Sequence, residues 1–244
     1  MKSQFDRSAM LIGYDGIEKL SSKHVAVFGI GGVGSFCAEA LARAGVGKLT
    51  LVDFDKIDIT NINRQLIALH STVGRYKAEV MAERIADINP NAEVTVRKDF
   101  FSAETVSDFD LAQFDYIVDA IDTVSCKLVL ITESKKLNVP IISCMGTGNK
   151  LGDLPFEITD ISKTSVCPLA RIMRKELKSR GIYSLKVLYS TEPPLTPKFE
   201  AADPAPGRHS PGSISFVPSV AGLNVAGEVI KELLGIQTIK GAPF

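Results

Sequence analysis

Through the first 150 residues, short runs rich in Val, Ile, Leu and Phe alternate with stretches whose apolar residues recur every three or four positions. The runs His24–Phe28, Lys48–Phe54, Glu93–Asp99, Tyr116–Ala120 and Pro140–Met145 read as strands. Between them Val33, Cys37, Ala40, Leu41 and Ala44 form one helical stripe, and Ala78, Met81, Ala82, Ile85 and Ile88 another. Strand and helix alternating in this way predict an α/β fold, a doubly wound, mostly parallel Rossmann-like sheet with helices on both faces. After Gly152 the pattern changes to a basic amphipathic helix near Ser165–Arg180, a strand in "YSLKVLYS" and a final helix from about Ser219 to Leu234. Pro193 to Pro218 holds seven of the twelve prolines, so a long irregular loop is expected there. The expectation is one domain over 1–244, with a core of about 5–150 and a C-terminal region of about 151–244.

Composition narrows the classes without choosing among them. A chain of 244 residues, 45% hydrophobic, can bury a sizeable core, and 28 basic against 28 acidic residues leave no global field to mark a nucleic-acid or membrane protein. The start "MKSQFDRSAM" has no apolar stretch followed by a small-residue cleavage site, and Phe216 to Leu234 is interrupted by Pro218, Asn224, Glu228 and Lys231. A soluble, cytoplasmic protein is expected. Cys37, Cys126, Cys144 and Cys167 form no CxxC pair, which argues against a zinc knuckle and a disulfide scaffold and for reduced thiols.

The chemistry gathers at "VAVFGIGGVGS". Gly29, Gly31 and Gly34 fit G-x-G-x-x-G between a strand and a helix: a tight turn, a close approach for phosphate oxygens, and close packing of helix on sheet. Asp53 ends the next strand 19 residues past Gly34, where a carboxylate can accept from ribose hydroxyls. That much would suit a nicotinamide dinucleotide. The extra Gly32, the doubled acid Asp53 and Asp55, and "TNINRQ" directly afterwards point elsewhere, since hydride transfer has no need of the last. Asn61, Arg64 and Gln65 fall at the carboxyl edge of the sheet, Arg64 with a planar fork suited to phosphate, and Lys77 follows 13 residues on with a point charge. Asp119 and Asp122 bracket the end of the fourth strand; Asp122, further out, is the better ligand for Mg²⁺ on a polyphosphate, and one of the two can instead cap the helix that follows.

Together GxGGxGS, D-x-D, TNxNRQ, the distant lysine and DAID resemble the activating-enzyme superfamily, the relatives of ubiquitin-activating enzymes to which the ThiF and MoeB adenylyltransferases belong. The resemblance implies that Gly29, Gly31, Gly32, Gly34, Asp53, Asp55, Asn61, Arg64, Gln65 and Lys77 bind ATP, that Asp122 holds Mg²⁺, and that Arg64, Lys77 and Asp122 serve catalysis. It implies the same for Arg7 in "FDRSAMLIG", which falls where the family places an arginine that crosses to the partner subunit's phosphates; a homodimer follows.

The last third resembles the tRNA threonylcarbamoyladenosine dehydratase branch, through "GNKLGDLPFEITDISKTSVCPLARIMRKELKSRGI", "VLYSTEPP" and "SISFVPSVAGLNVAGEVIK". The implied reaction activates the threonyl carboxylate of t6A at tRNA position 37 as an acyl-adenylate, then closes the ring with loss of AMP. Between Lys163 and Lys186 stand seven basic residues, among them Arg171, Arg174, Lys175, Lys178 and Arg180, against the single acid Glu176. Leu169, Ile172, Met173 and Leu177 are expected to pack one face of the helix that carries most of them. The charges alone suit a solvated helix face as well as a phosphate backbone; the resemblance implies that they contact t6A-bearing tRNA. Some members carry a cysteine before the last helix and take sulfur from a cysteine desulfurase system; "RHSPGSISF" offers serines there, which speaks against that partner. A sulfur-carrier adenylyltransferase and an NAD-binding redox protein are the alternatives, told apart by adenylated carrier protein and by hydride transfer. His24 and His70, the latter expected in a helix at "LIALH", read as structural, and His209 as a residue that can approach the substrate.

Overall fold

The apolar runs lie side by side in a computed structural model that describes residues 2–152, 156–199 and 211–236. Strands β1 (His24–Phe28), β2 (Lys48–Val52), β3 (Glu93–Arg97), β4 (Tyr116–Asp119), β5 (Ile141–Cys144), β6 (Phe156–Asp160) and β7 (Lys186–Ser190) make one sheet in the order β3-β2-β1-β4-β5-β7-β6. All pairings are parallel except β6 on β7, which runs antiparallel from Phe156↔Ser190 to Asp160↔Lys186. The chain winds outward from β1 through β2 to β3 and then returns to place β4 on β1's other side. The connections leaving β1 and β4 therefore diverge above their carboxyl ends, the switch point where open α/β sheets bind ligands.

Alternation along each strand divides the core into two layers. Val25, Val27, Leu49, Leu51 and Val118 face helices α2 (Gly34–Ala44), α3 (Lys77–Ile88) and α6 (Phe216–Leu234). Ala26, Phe28, Val52 and Ile117 face α4 (Val124–Lys136), α5 (Pro168–Ser179) and the rings of Phe101, Phe109 and Phe114. Helix α1 (Asp6–Ser21), broken at Gly13, buries Leu20 against the first layer.

Some sequence expectations change. Phe54, Ala120 and Met145 lie past the paired strands, and all three line a cavity instead. No α-helix forms at "LIALH": Ile67 and Ala68 plug the core, and the exposed His70 begins a single 3-10 turn, His70–Thr72, that buries Thr72. Helix α5 starts at Pro168 rather than near Ser165, because Val166 takes a left-handed conformation, φ 60°, and proline suits the first helical position. Ile172 is exposed, and Ala170 packs with Met173 and Leu177 in its place. His24 is structural as expected, its Nε2 2.9 Å from Thr50 Oγ1 and its ring edge-on to Phe114. Its imidazole is held below the ordinary range, chiefly by burial and then by the charge of Lys48. All four cysteines are buried and none forms a disulfide.

Candidate functional site

At the switch point the turn after β1 forms a cradle. Gly29 is left-handed, φ 88°, and a Cβ there would lie 2.6 Å from Ala120 O; a Cβ on Gly34 would lie 1.7 Å from Gly29 O. Those two contacts seat the start of α2 tightly on the sheet. Gly31 is open, its nearest neighbour Gln65 Nε2 at 3.7 Å from such a Cβ. The N–H groups of Gly31, Gly32 and Val33 make no hydrogen bond among the described residues, and no side chain caps α2. Unspent donors at a helix N-terminus are an anion site in waiting.

Asp53 fixes this turn. Its Oδ2 accepts from Ile30 N at 2.6 Å and its Oδ1 from Asp55 N at 2.9 Å, so the carboxylate ties the end of β2 to the turn after β1. Burial lifts its pKa above the ordinary carboxylate range, opposed by the charge of Lys77 and by those two N–H groups. Lys77 opens α3 and donates to Asp55 Oδ2 at 2.7 Å. Arg64 donates to Thr60 O at 3.1 Å and Asn63 Oδ1 at 2.9 Å, and burial draws its pKa down. Gln65 is buried and its Oε1 has no partner, an acceptor waiting for a donor.

These groups share one cavity of about 900 Å³. Gly29, Gly31, Gly32, Asp53, Asp55, Arg64, Gln65, Lys77 and Asp122 all line it. Asn61 does not: its Oδ1 accepts from Asp58 N at 3.1 Å and closes a capping box on the 3-10 turn Ile59–Asn61, so it shapes the loop that carries Arg64. Gly34 lies behind the cradle as a packing residue, and Arg7, exposed on α1, is likewise absent from the cavity wall.

The two aspartates after β4 separate. Asp122 is exposed at the cavity rim and accepts from Thr123 Oγ1 at 3.1 Å. Asp119 is fully buried and does not cap α4: it pairs with the equally buried Lys127 at 2.9 Å and accepts from Ser143 Oγ and Ile121 N. Lys127 also donates to Ile121 O at 3.0 Å, on the loop after β4, and to Cys144 O at 2.9 Å, at the end of β5; both residues line the cavity. Sequence reasoning did not single out this lysine, although it sits in the first turns of the helix beside two acids.

The far wall comes from the loop after β5 and from α5. Gly146 to Lys150, Cys167, Pro168 and Leu169 line it, with Pro194, Pro211 and Ser213 of the proline-rich stretch. Cys144 also lines it, and burial pushes its thiol up to about 12. Helix α5 leads away from this wall. Arg171, Lys175 and Lys178 are exposed on it at i, i+4 and i+7, one face, with no ion pair among the described residues. Arg174 is spent on Thr164 O at 2.9 Å and on Thr164 Oγ1, and Arg180 on Glu176 at 2.8 Å. His209 and Ser210 lie outside the described residues.

A parallel α/β sheet with a glycine cradle, a cationic ring and a rim carboxylate at its switch point defines a nucleotide-binding protein, and the chain belongs to the ThiF family, whose model matches residues 5–244. It is 46% identical to the tRNA threonylcarbamoyladenosine dehydratase of Bacillus subtilis over 98% of both chains. It superposes with a TM-score of 0.83 on the crystal structure of E. coli tRNA N6-threonylcarbamoyladenosine dehydratase, TcdA, in complex with ATP, at 35% identity over 95% of this chain and 94% of that one. Likeness to the sulfur carrier protein ThiS adenylyltransferase of Escherichia coli is lower, 31% over 61% of this chain.

Proposed function

We propose that the chain is an ATP-dependent tRNA threonylcarbamoyladenosine dehydratase, which cyclises t6A at position 37 of tRNA. The observation that carries this reading is one cavity that combines unspent glycine N–H groups with Arg64, Lys77 and Asp122, in a chain similar from end to end to dehydratases of that name. In this reading the α-phosphate of ATP lies over the cradle and the threonyl carboxylate attacks it, displacing pyrophosphate. The carbamoyl group then closes on the activated carbonyl and AMP leaves. The protein's part is to align the two substrates and to neutralise charge, and no protein nucleophile is required. The cavity supplies Arg64 and Lys77 for that, and Gln65 Oε1 waits for a donor of the nucleoside.

Asp122 would hold Mg²⁺, which shields the polyphosphate. Among the described residues no three His, Cys, Asp or Glu side chains gather, so in this reading the ion's other ligands are phosphate oxygens and water. Arg7 reaches a nucleotide from a second copy of the chain. It shares its helix face with Met10, 85% exposed, and Leu11, 87% exposed, and a homodimer would cover that apolar surface. Arg171, Lys175 and Lys178 track the tRNA backbone away from the cavity over about 10 Å, at 1.5 Å per helical residue. No helix among the described residues is long and apolar enough to cross a membrane, and an enzyme of tRNA is expected in the cytoplasm. Ser213 and Ser215 precede α6 and offer no thiol, so we assign no cysteine-desulfurase partner.

The test is to incubate the protein with ATP, Mg²⁺ and t6A-bearing tRNA, then weigh the nucleosides by mass spectrometry. Loss of one water from t6A is expected, with Arg64→Ala and Asp122→Ala each lowering the rate at least about 100-fold while far-UV circular dichroism stays unchanged. Wild-type turnover by either variant contradicts the assigned roles, and unaltered t6A contradicts the reaction.

A further inference from the structure

Three lysines are buried at the cavity, and their surroundings differ. Lys77, 7% exposed, is paired with Asp55. Lys127, 0% exposed, is neutralised by Asp119 and satisfied by two carbonyls. Lys150 lines the cavity itself at 5% exposure and donates to one acceptor, Glu192 O. It makes no ion pair among the described residues. The Glu192 carboxylate does not supply one: its Oε1 accepts from Leu151 N at 2.8 Å and Gly152 N at 2.9 Å, and its Oε2 is buried without a partner. An ammonium has three donors, and burying its charge unpaired is costly, so the site is built for an anion still to come.

Two further features favour an anion there. Helix α5, 12 residues long, begins on the same wall with no side-chain cap, and its N-terminal dipole adds positive potential. Lys150 is also held in place. Its neighbour Asn149, left-handed at φ 57°, bonds to both banks of the proline-rich stretch: its N to Gly212 O at 2.7 Å, its Oδ1 from Gly212 N at 2.6 Å, and its O from Leu195 N at 2.7 Å. The loop after β5 stands two strands from β1, about 10 Å along the sheet edge at ~4.8 Å per strand. It therefore faces the neighbour of the cradle rather than the cradle.

We propose that Lys150 binds the carboxylate of the threonyl group carried by the substrate nucleoside. This rests on the dehydratase reading and adds its recognition element. The acid neutralises the buried ammonium on entry, whereas unmodified adenosine and the cyclised product, which lacks that carboxylate, leave it unpaired. Lys150 would thus favour substrate over both.

The experiment uses the full-length protein and two tRNAs, one with t6A and one with plain adenosine at the same position. Binding is read by fluorescence anisotropy without ATP, and ATP affinity by equilibrium dialysis without tRNA. Wild type is expected to prefer the t6A tRNA by about tenfold or more, Lys150→Met to bind both alike, and Lys150→Arg to keep part of the preference. In Lys150→Met, kcat/KM for t6A tRNA should fall about 100-fold, ATP affinity should stay within about twofold, and the unfolding midpoint should not drop, because an unpaired charge has left the interior. A preference that survives in Lys150→Met overturns the proposal. So does a loss confined to ATP affinity, which would make Lys150 a phosphate ligand, or a midpoint that collapses in both variants, which would make it structural. Failure of wild type to convert t6A at all would instead sink the dehydratase reading.

Discussion

Asp119 and Asp122 stand three residues apart, and burial decides what each can do. Asp122, at the cavity rim, is free to meet a ligand, whereas Asp119 is locked with Lys127 and Ser143 beneath the loops that form the floor. The spacing after the strand showed that one of the pair faces the ligand edge. It could not show the partner, since Lys127 sits on a helix whose polar and apolar residues are too evenly mixed to mark a buried lysine. Removing one member of a buried pair strands the other's charge, so Lys127→Met is expected to cost about 3–5 kcal/mol. Differential scanning calorimetry should show the midpoint down by roughly 6–20 °C. An unchanged midpoint would mean that the pair carries no structural weight.

Among the elements, β1, β2, β4 and β5 were legible because they are buried on both faces over most of their length and form apolar runs, and the edge strand β3 because Val94, Thr95 and Val96 are consecutive β-branched residues. Strand β6, at the opposite edge, was not, because only Ile158 and Thr159 stand between the acids Glu157 and Asp160, too short a β-branched run to mark a strand. Nor was α1, whose Met10 and Leu11 face solvent rather than this chain's core. The final helix was legible, but its place was not: α6 packs on α2, where a Cβ at Gly222 would lie 2.3 Å from Val33 O. Gly227, one and a half turns on, has nothing within 4 Å. The two glycines should therefore respond with opposite sign. Gly222→Ala is expected to destabilise by about 1–3 kcal/mol through overpacking, and Gly227→Ala to stabilise by up to about 1 kcal/mol through helix propensity. Urea unfolding of both variants checks this, and equal shifts would contradict the packing of α6 on α2.

For the whole molecule, the ring of cavity groups was legible from motif spacing, except that Asn61 serves its own loop. What a single chain could not reveal is how Arg7, outside the cavity, would reach a nucleotide. In a homodimer with shared sites, Arg7→Ala and Asp122→Ala are each inactive alone. Co-expressed, the mixed dimer regains one intact site of two, and random pairing predicts about a quarter of wild-type turnover. No recovery would place Arg7's effect within its own subunit.

The central claim is that this cavity turns a carboxylate into an adenylate, and oxygen labelling tests it most directly. With ¹⁸O in the threonyl carboxylate of t6A tRNA, attack on the α-phosphorus followed by ring closure must carry one labelled oxygen into AMP, which mass spectrometry of the released nucleotide would detect. Cyclised product formed with unlabelled AMP, or with ADP and labelled phosphate, would contradict it.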